Sequence, residues 1–389
     1  MKNVSLIVVV LFLFGNSSLG QTFNQRDLKS EFDRLLTKEM NTYRASLKTV
    51  NMHSIDSYQF MGLRAVLGSL NAVGFAPENL NYIQLQVELV DAIIGSAKKS
   101  RLITGNITFR DNYLGWGSLT TSKIGTQEVS LYEGYIFFYI VEFLYKVRST
   151  DWYMSSNSHR KWVEDKLKFI EQNIWRKWEE RSMKTYNNAD KFFLRTRTHM
   201  GAHWAGVALY LERLTTNWED KAVYKSVYSK YNELLRKQLQ KSPLDDDAMV
   251  WNSDYENSSK NKAERRSKIV QDVSHGNHVI SYIIAAYELN SDNWSLADIR
   301  SLCDIVKRRL YDEKKNEFSD NVDGTKDYSR PGWGNFQADG WIKLAKYDRD
   351  VYQIYKQFGT NSRLLKKYNQ RLQYVASLLA LKSIYYNEP

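Results

Sequence analysis

The sequence predicts an all-α protein, and three observations carry that prediction. Apolar residues recur three and four apart along most of the chain, strand-like alternation is scarce, and one kind of helix entrance returns several times. The entrances, small and polar residues running into an aromatic stretch, stand near residues 127–133, 198–203, 274–278 and 335–341. They lie roughly 60–75 residues apart, about two helices plus their loops. More charged amphipathic segments, such as 162–178 and 222–241, fall between them. One helix apolar all round and one amphipathic helix per repeat is the pattern of an (α/α) toroid. Its inner helices are enclosed and its outer ring faces water. An irregular helical bundle is the plain alternative.

Taken in order, the chain opens on Met1-Lys2, an apolar stretch from Val4 to Phe14, and Ser18-Leu19-Gly20. This reads as a secretory leader, so residues 1–20 are expected to be a signal peptide and the protein secreted or periplasmic. Residues 21–389 are expected to form a single domain, since the four prolines are scattered and no Ser/Gly/Pro-rich linker interrupts them. Helices follow in "SYQFMGLRAVLGSLNAVGF", "YIQLQVELVDAIIGSA", "LYEGYIFFYIVEFLYKV" and "HRKWVEDKLKFIEQNIWRKW". They continue in "THMGAHWAGVALYLERL", "KAVYKSVYSKYNELLRKQL", "SHGNHVISYIIAAYEL", "LADIRSLCDIVKRRLYD" and "LLKKYNQRLQYVASLLALKSIYY". Only residues 102–109 and 317–321 allow a strand, so at most a small β-hairpin is expected. The single cysteine, Cys303, excludes an internal disulfide and a cysteine-rich metal site, and its apolar setting predicts burial.

A formal charge of +11 fits an anionic partner. Lys and Arg are spread over the outer helices instead of clustering in a recognisable module, which argues against nucleic acid. No segment after the leader is long and apolar enough to span a bilayer. A monomer acting on an anionic polysaccharide is the expected state.

Four of the six histidines sit at two helix entrances. His199 and His203 are four apart, and His275 and His278 three apart, so each pair can share a helix face. Neither helix supplies the Glu of an H-E-x-x-H motif and no carboxylate set accompanies the histidines, so no metal and no cofactor is expected. Aromatic and amide residues cluster on loops beside the entrances: Tyr113 and Trp116; Trp251, Asn252, Asp254 and Tyr255; Tyr328, Arg330, Trp333 and Asn335. Exposed aromatic rings of this kind are suited to stacking on sugars.

The leader, the helical repeat, "YSRPGWGN" and the "DVSHGNH" helix start resemble the exported polysaccharide lyases with an (α/α)-toroid catalytic domain. The single-domain alginate and glucuronan lyases are the nearest in size. The resemblance implies β-elimination across a uronic-acid linkage. That reaction needs a base for the C5 proton, an acid for the leaving oxygen, and groups that offset charge on the carboxylate. His275 and Tyr328 are the expected acid–base pair, Tyr328 being a feasible base because Arg330 beside it favours its phenolate, with Arg330, His203 and Asn277 neutralising the carboxylate and Tyr255 as the alternative base. Trp116, Glu133, His199, Trp251, Asn252, His278, Trp333 and Asn335 complete the expected substrate-binding set.

Two other readings compete. A toroid glycoside hydrolase would need a carboxylate pair, for which Glu133, Asp254, Asp272 and Asp339 are candidates, although Asp272 and Asp339 also suit helix capping. A non-catalytic glycan-binding protein would keep the loop aromatics without needing paired histidines.

Overall fold

The computed structural model describes residues 25–49, 57–75, 79–103, 108–118, 127–242, 245–254, 270–291, 293–327, 331–359, 365 and 370–385. The leader expected over residues 1–20 lies outside them. The described chain is mostly helical with a few short strands. Its longer helices are α1 (Gln25–Thr49), α2 (Phe60–Val73), α3 (Leu80–Gly95), α4 (Ser130–Val147), α5 (Asn157–Ile170) and α6 (Lys177–Tyr186). They continue with α7 (Thr198–Leu214), α8 (Trp218–Gln238), α9 (Val273–Glu288), α10 (Leu296–Ile305), α11 (Arg349–Phe358) and α12 (Arg371–Tyr385).

Apolar content decides which helices are enclosed. α4, α7 and α9 bury most of their residues, as a helix hydrophobic on every side must. These pack side by side in chain order: α2 on α4, α4 on α7, α7 on α9. α9 then meets the 3₁₀ segment Trp341–Lys346, which meets α12, and α12 returns to α2. Other helices pack against these: α1 on α12, α3 on α2 and α4, α8 on α7, and α11 on the 3₁₀ segment. A single cluster of buried apolar side chains runs from Leu28 to Leu381.

Local chemistry sets the ends and spacings. Asn217, Asp272, Ser295 and Asp348 each cap a helix, Ser295 with Asp298 as a reciprocal capping box. A Cβ on Gly206 of α7 would stand 2.5 Å from the Phe138 ring, so glycine is what lets α7 approach α4 this closely.

The structure corrects several sequence expectations. Short antiparallel ladders appear four times among the described residues, not as one hairpin at most: β1 (Lys98–Lys99) with β2 (Leu114–Gly115), and β3 (Gly117–Ser118) with β4 (Gln127–Glu128). The others pair β5 (Gln240–Ser242) with β6 (Asp245–Val250), and β7 (Tyr311–Asp312) with β8 (Glu317–Phe318). The segment read as one helix over 159–178 crosses a π-turn at Glu171–Arg176 before α6. The fourth entrance forms two 3₁₀ turns, Trp333–Asn335 and Trp341–Lys346, instead of an α-helix. There the Asn277 side chain accepts the N–H groups of Gly340 and Trp341, and Gly340 lies so close to the Asn277 backbone that a Cβ would overlap its carbonyl oxygen. Helices α1 and α11 were not singled out from the sequence; each lays an apolar stripe on the core.

Cys303 is fully buried, and burial pushes its thiol up to about 12. Native protein is therefore expected to resist dithiobis(nitrobenzoate) and to react with one thiol per chain once unfolded in guanidinium. Rapid labelling of the folded protein would contradict this placement.

Among the described residues no helix is long and apolar enough to cross a membrane.

Candidate functional site

The mouths of α7 and α9 lie side by side, and their four histidines form one continuous run of rings. His275 lies tilted against His199 at 4.2 Å between centroids, His199 stands 6.5 Å from His278, and His278 lies 4.3 Å from His203. Tyr135 of α4 continues the run, its ring meeting His203 edge-on at 4.0 Å and His278 at 5.3 Å. The Arg64 guanidinium of α2 sits over the Tyr135 ring at 5.1 Å. The start of α7 is held by Thr198, whose N–H donates to Ser253 and whose hydroxyl donates to Gln271.

His275 is the open end of this run. Asp272 caps α9 by accepting the His275 backbone N–H at 3.0 Å, and the same carboxylate accepts from His275 Nδ1 at 2.8 Å. Because an ionised carboxylate only accepts, Nδ1 carries a proton, and in the neutral ring Nε2 carries the lone pair. Burial works against charge on Asp272, but hydrogen bonds from His275 and Ser274 outweigh it and hold the carboxyl well below the usual range. The His275 side chain is 28% exposed, while His199, His203 and His278 are 2%, 1% and 5% exposed. An oriented imidazole with a free nitrogen, backed by a carboxylate, is a general base in form.

His278 is committed elsewhere. Its Nδ1 lies 3.0 Å from Asp339, and its Nε2 lies 3.2 Å from the Arg64 guanidinium, so its lone pair is occupied. Asp339 also meets Arg64 at 3.3 Å and accepts from Gln373 at 3.2 Å and from the Tyr139 hydroxyl. Burial opposes ionisation of Asp339, yet Arg64 and His278 outweigh it and keep the carboxyl well below its ordinary value. His203 has both ring nitrogens buried without a hydrogen-bond partner, and His199 has its Nδ1 in the same state. Polar atoms left like this at a helix mouth are groups for which a ligand can supply partners.

The buried imidazoles are neutral. Burial first, then neighbouring imidazoles and Arg64, drives His203 well below its ordinary value. Burial and the adjacent His275 and His278 do the same for His199, and burial with Arg64 takes His278 to about 4. The unfolded chain, with histidine near 6.5, binds more protons than the folded one below that pH. The stability these groups contribute is full above about pH 6.5 and is lost as pH falls towards about 4. Denaturant midpoints measured between about pH 7.5 and about pH 5 are expected to fall steadily, and a flat or rising midpoint would contradict neutral buried histidines.

Cations border the mouth. Arg195, with a φ of 28° that a non-glycine residue rarely adopts, donates to Ser130 Oγ at 3.3 Å and acts electrostatically on Tyr135. Arg197 lies 3.8 Å from Asp254 and acts on His199. Burial raises the Tyr135 phenol to about 12, so it holds its proton at neutral pH.

Several expected site residues stand elsewhere. Trp116 is 2% exposed, edge-on to Phe60 at 5.3 Å, and donates to Ser96 and Ile93, so it is core and not a sugar platform. Glu133 is fully buried between Lys177 at 2.8 Å and Trp178 Nε1 at 2.7 Å, and burial raises its pKa. Trp251 is 1% exposed and stacks on Trp341. The Asn277 amide is spent on the backbone of Gly340, Trp341 and Phe336, and Asn335 accepts the Phe318 N–H and donates to Gly332. These amides hold loops and do not face a carboxylate. Asn252 pairs with Val270, and its carbonyl accepts from Thr198. Trp333 keeps its place at the mouth, its half-buried ring 6.1 Å from His275. Tyr255, Tyr328 and Arg330 lie outside the described residues.

Sequence reasoning missed Arg64 and Tyr135, and took Asp272 and Asp339 only for caps or hydrolase carboxylates. A lone arginine inside the apolar "MGLRAVLG" was the available signal, since a buried cation requires a partner. Among the described residues no group of three His, Cys, Asp or Glu side chains is arranged to hold a metal ion.

Compared with known protein families, with curated proteins and with solved structures, the chain matches none of them.

Proposed function

We propose that this protein is an exported polysaccharide lyase that cleaves a uronic-acid polymer by β-elimination, on an (α/α) toroid whose inner-helix mouths form the site. The circuit from α2 through α4, α7, α9 and the 3₁₀ segment to α12 and back supports the toroid. The observation that carries the function is the Asp272–His275 pair opening onto a wall of neutral imidazoles with arginines at its border.

In this reading the His275 Nε2 lone pair takes the C5 proton as the C5–H bond breaks. The C4–C5 double bond forms, the C4–O bond breaks, and the leaving oxygen takes a proton from a tyrosine. Asp272 stabilises the imidazolium that results, as a carboxylate behind an imidazole does. Tyr328 is the acid proposed; Tyr135 is the protonated phenol within the ring run. His203 and His199 offer N–H groups to the substrate carboxylate, and Arg64, Arg195 and Arg197 supply positive potential.

The protonation states favour elimination over hydrolysis. A hydrolase needs one carboxyl that holds its proton at working pH. Asp272 and Asp339 are both held ionised, Glu133 is sealed against Lys177, and Asp254 is buried beside Arg197.

Chain cleavage should require a polyanion and weaken as salt rises, because a protein of net charge +11 gains from screened attraction. The check is release of reducing ends from alginate, polyglucuronate and a neutral glucan across a salt series. Equal, salt-independent turnover of the neutral glucan would overturn the assignment.

A further inference from the structure

On the far side of Asp339 from the histidines, a cavity of about 300 Å³ opens between the later turns of α4, α7, α9 and α12. Asp339 divides the two spaces: one carboxylate oxygen faces Arg64 and His278, and the other accepts from Tyr139 and Gln373. The charged side chains lining the cavity are Lys146, Lys343, Lys346, Glu142, Glu288 and Asp339. Most of them are already matched. Lys146 meets Glu142 at 2.7 Å, Lys346 meets Glu288 at 2.7 Å, and Asp339 is answered by Arg64 and His278.

Lys343 is the exception. Its ammonium donates to Ser281 Oγ at 2.7 Å, and among the described residues no carboxylate stands at salt-bridge distance from it. It is half-buried, and its charge acts on both Asp339 and Glu142 across the cavity. A half-buried ammonium with no carboxylate in direct contact can take an anion beside it through a charge-assisted hydrogen bond. The other walls offer the Ser377 and Ser281 hydroxyls with the rings of Phe138 and Tyr210, a mixture suited to a hydroxylated ring.

We propose that this cavity is a second binding site, separate from the histidine mouth, for a small hydroxylated monocarboxylate about the size of one sugar acid, held by Lys343 and Ser281. The volume is at the low end for small-molecule sites, enough for one ring and too small for a polymer. The proposal does not depend on elimination at the mouth.

Calorimetric titration of the full protein with D-glucuronate, and with D-glucose as the neutral control, tests it. One glucuronate is expected per chain, with glucose at least about tenfold weaker, since a charge-assisted hydrogen bond is at stake. Lys343→Met should weaken glucuronate by at least about tenfold and Lys343→Arg should keep it, both at unchanged melting temperature. If Lys343→Met fails to fold, Lys343→Gln serves in its place. His275→Ala should leave this binding intact, which separates it from any uronate held at the mouth. No saturable glucuronate binding, equal binding of glucose, undiminished binding in folded Lys343→Met, or loss of binding in His275→Ala would each overturn the proposal.

Discussion

Replacing His275 with Ala is expected to lower turnover on the preferred polyuronate by about 10²–10⁴, the usual loss for a general acid–base group. Folding should be little affected, because the ring is the most open of the four and its Nδ1 partner, Asp272, still caps α9 through the backbone. Asp272→Asn sharpens the test. Asn caps a helix as well as Asp, so the helix start should persist. The amide, however, can donate to Nδ1 and so favour the tautomer with its proton on Nε2, which removes the free base. Turnover should therefore fall steeply while the denaturant midpoint stays near that of the parent. Near-normal turnover in both variants would remove His275 from the chemistry and leave its pairing with Asp272 as a cap alone.

The second large effect concerns stability. Asp339→Ala is expected to cost about 3–5 kcal/mol, because it leaves Arg64 without its carboxylate partner in a largely enclosed setting. The same change removes the acceptor for Tyr139, Gln373 and His278. A double variant, Arg64→Met with Asp339→Leu, should recover part of that loss, since it removes both charges together. Guanidinium unfolding of the parent, the single variant and the double variant reads the coupling directly. A loss below about 1 kcal/mol for Asp339→Ala would mean that Arg64 finds another counter-charge or water.

Helical periodicity made most of the enclosed helices legible from sequence, because residues that must be buried on every side leave a run such as "YIFFYIVEFL" that few other settings produce. The two histidine entrances were legible for the same reason: polar residues at the start of such a run have nowhere to point but the mouth. What sequence could not give was long-range pairing. Arg64 and Asp339 stand 275 positions apart and define each other only once α2 and the fourth entrance meet. The loop tryptophans misled because glycine neighbours at Trp116 and the polar run after Trp251 read as exposure. In fact Trp116 and Trp251 turn inward, where their large apolar area stabilises packing more than it would at a surface. The ladders β1–β2 and β3–β4 escaped notice because two-residue strands carry no period to detect, whereas β8 falls inside the 317–321 segment that the sequence allowed.

Whether the reaction is elimination is decided by the new end of the cleaved chain. Proton NMR and ultraviolet absorbance of the products from a polyuronate digest, parent against His275→Ala, read this directly. The result expected is an unsaturated uronate at each new non-reducing end, appearing with every reducing end released and lost in the variant. Reducing ends that accumulate without any vinyl proton or absorbance would mean hydrolysis, and would contradict the account.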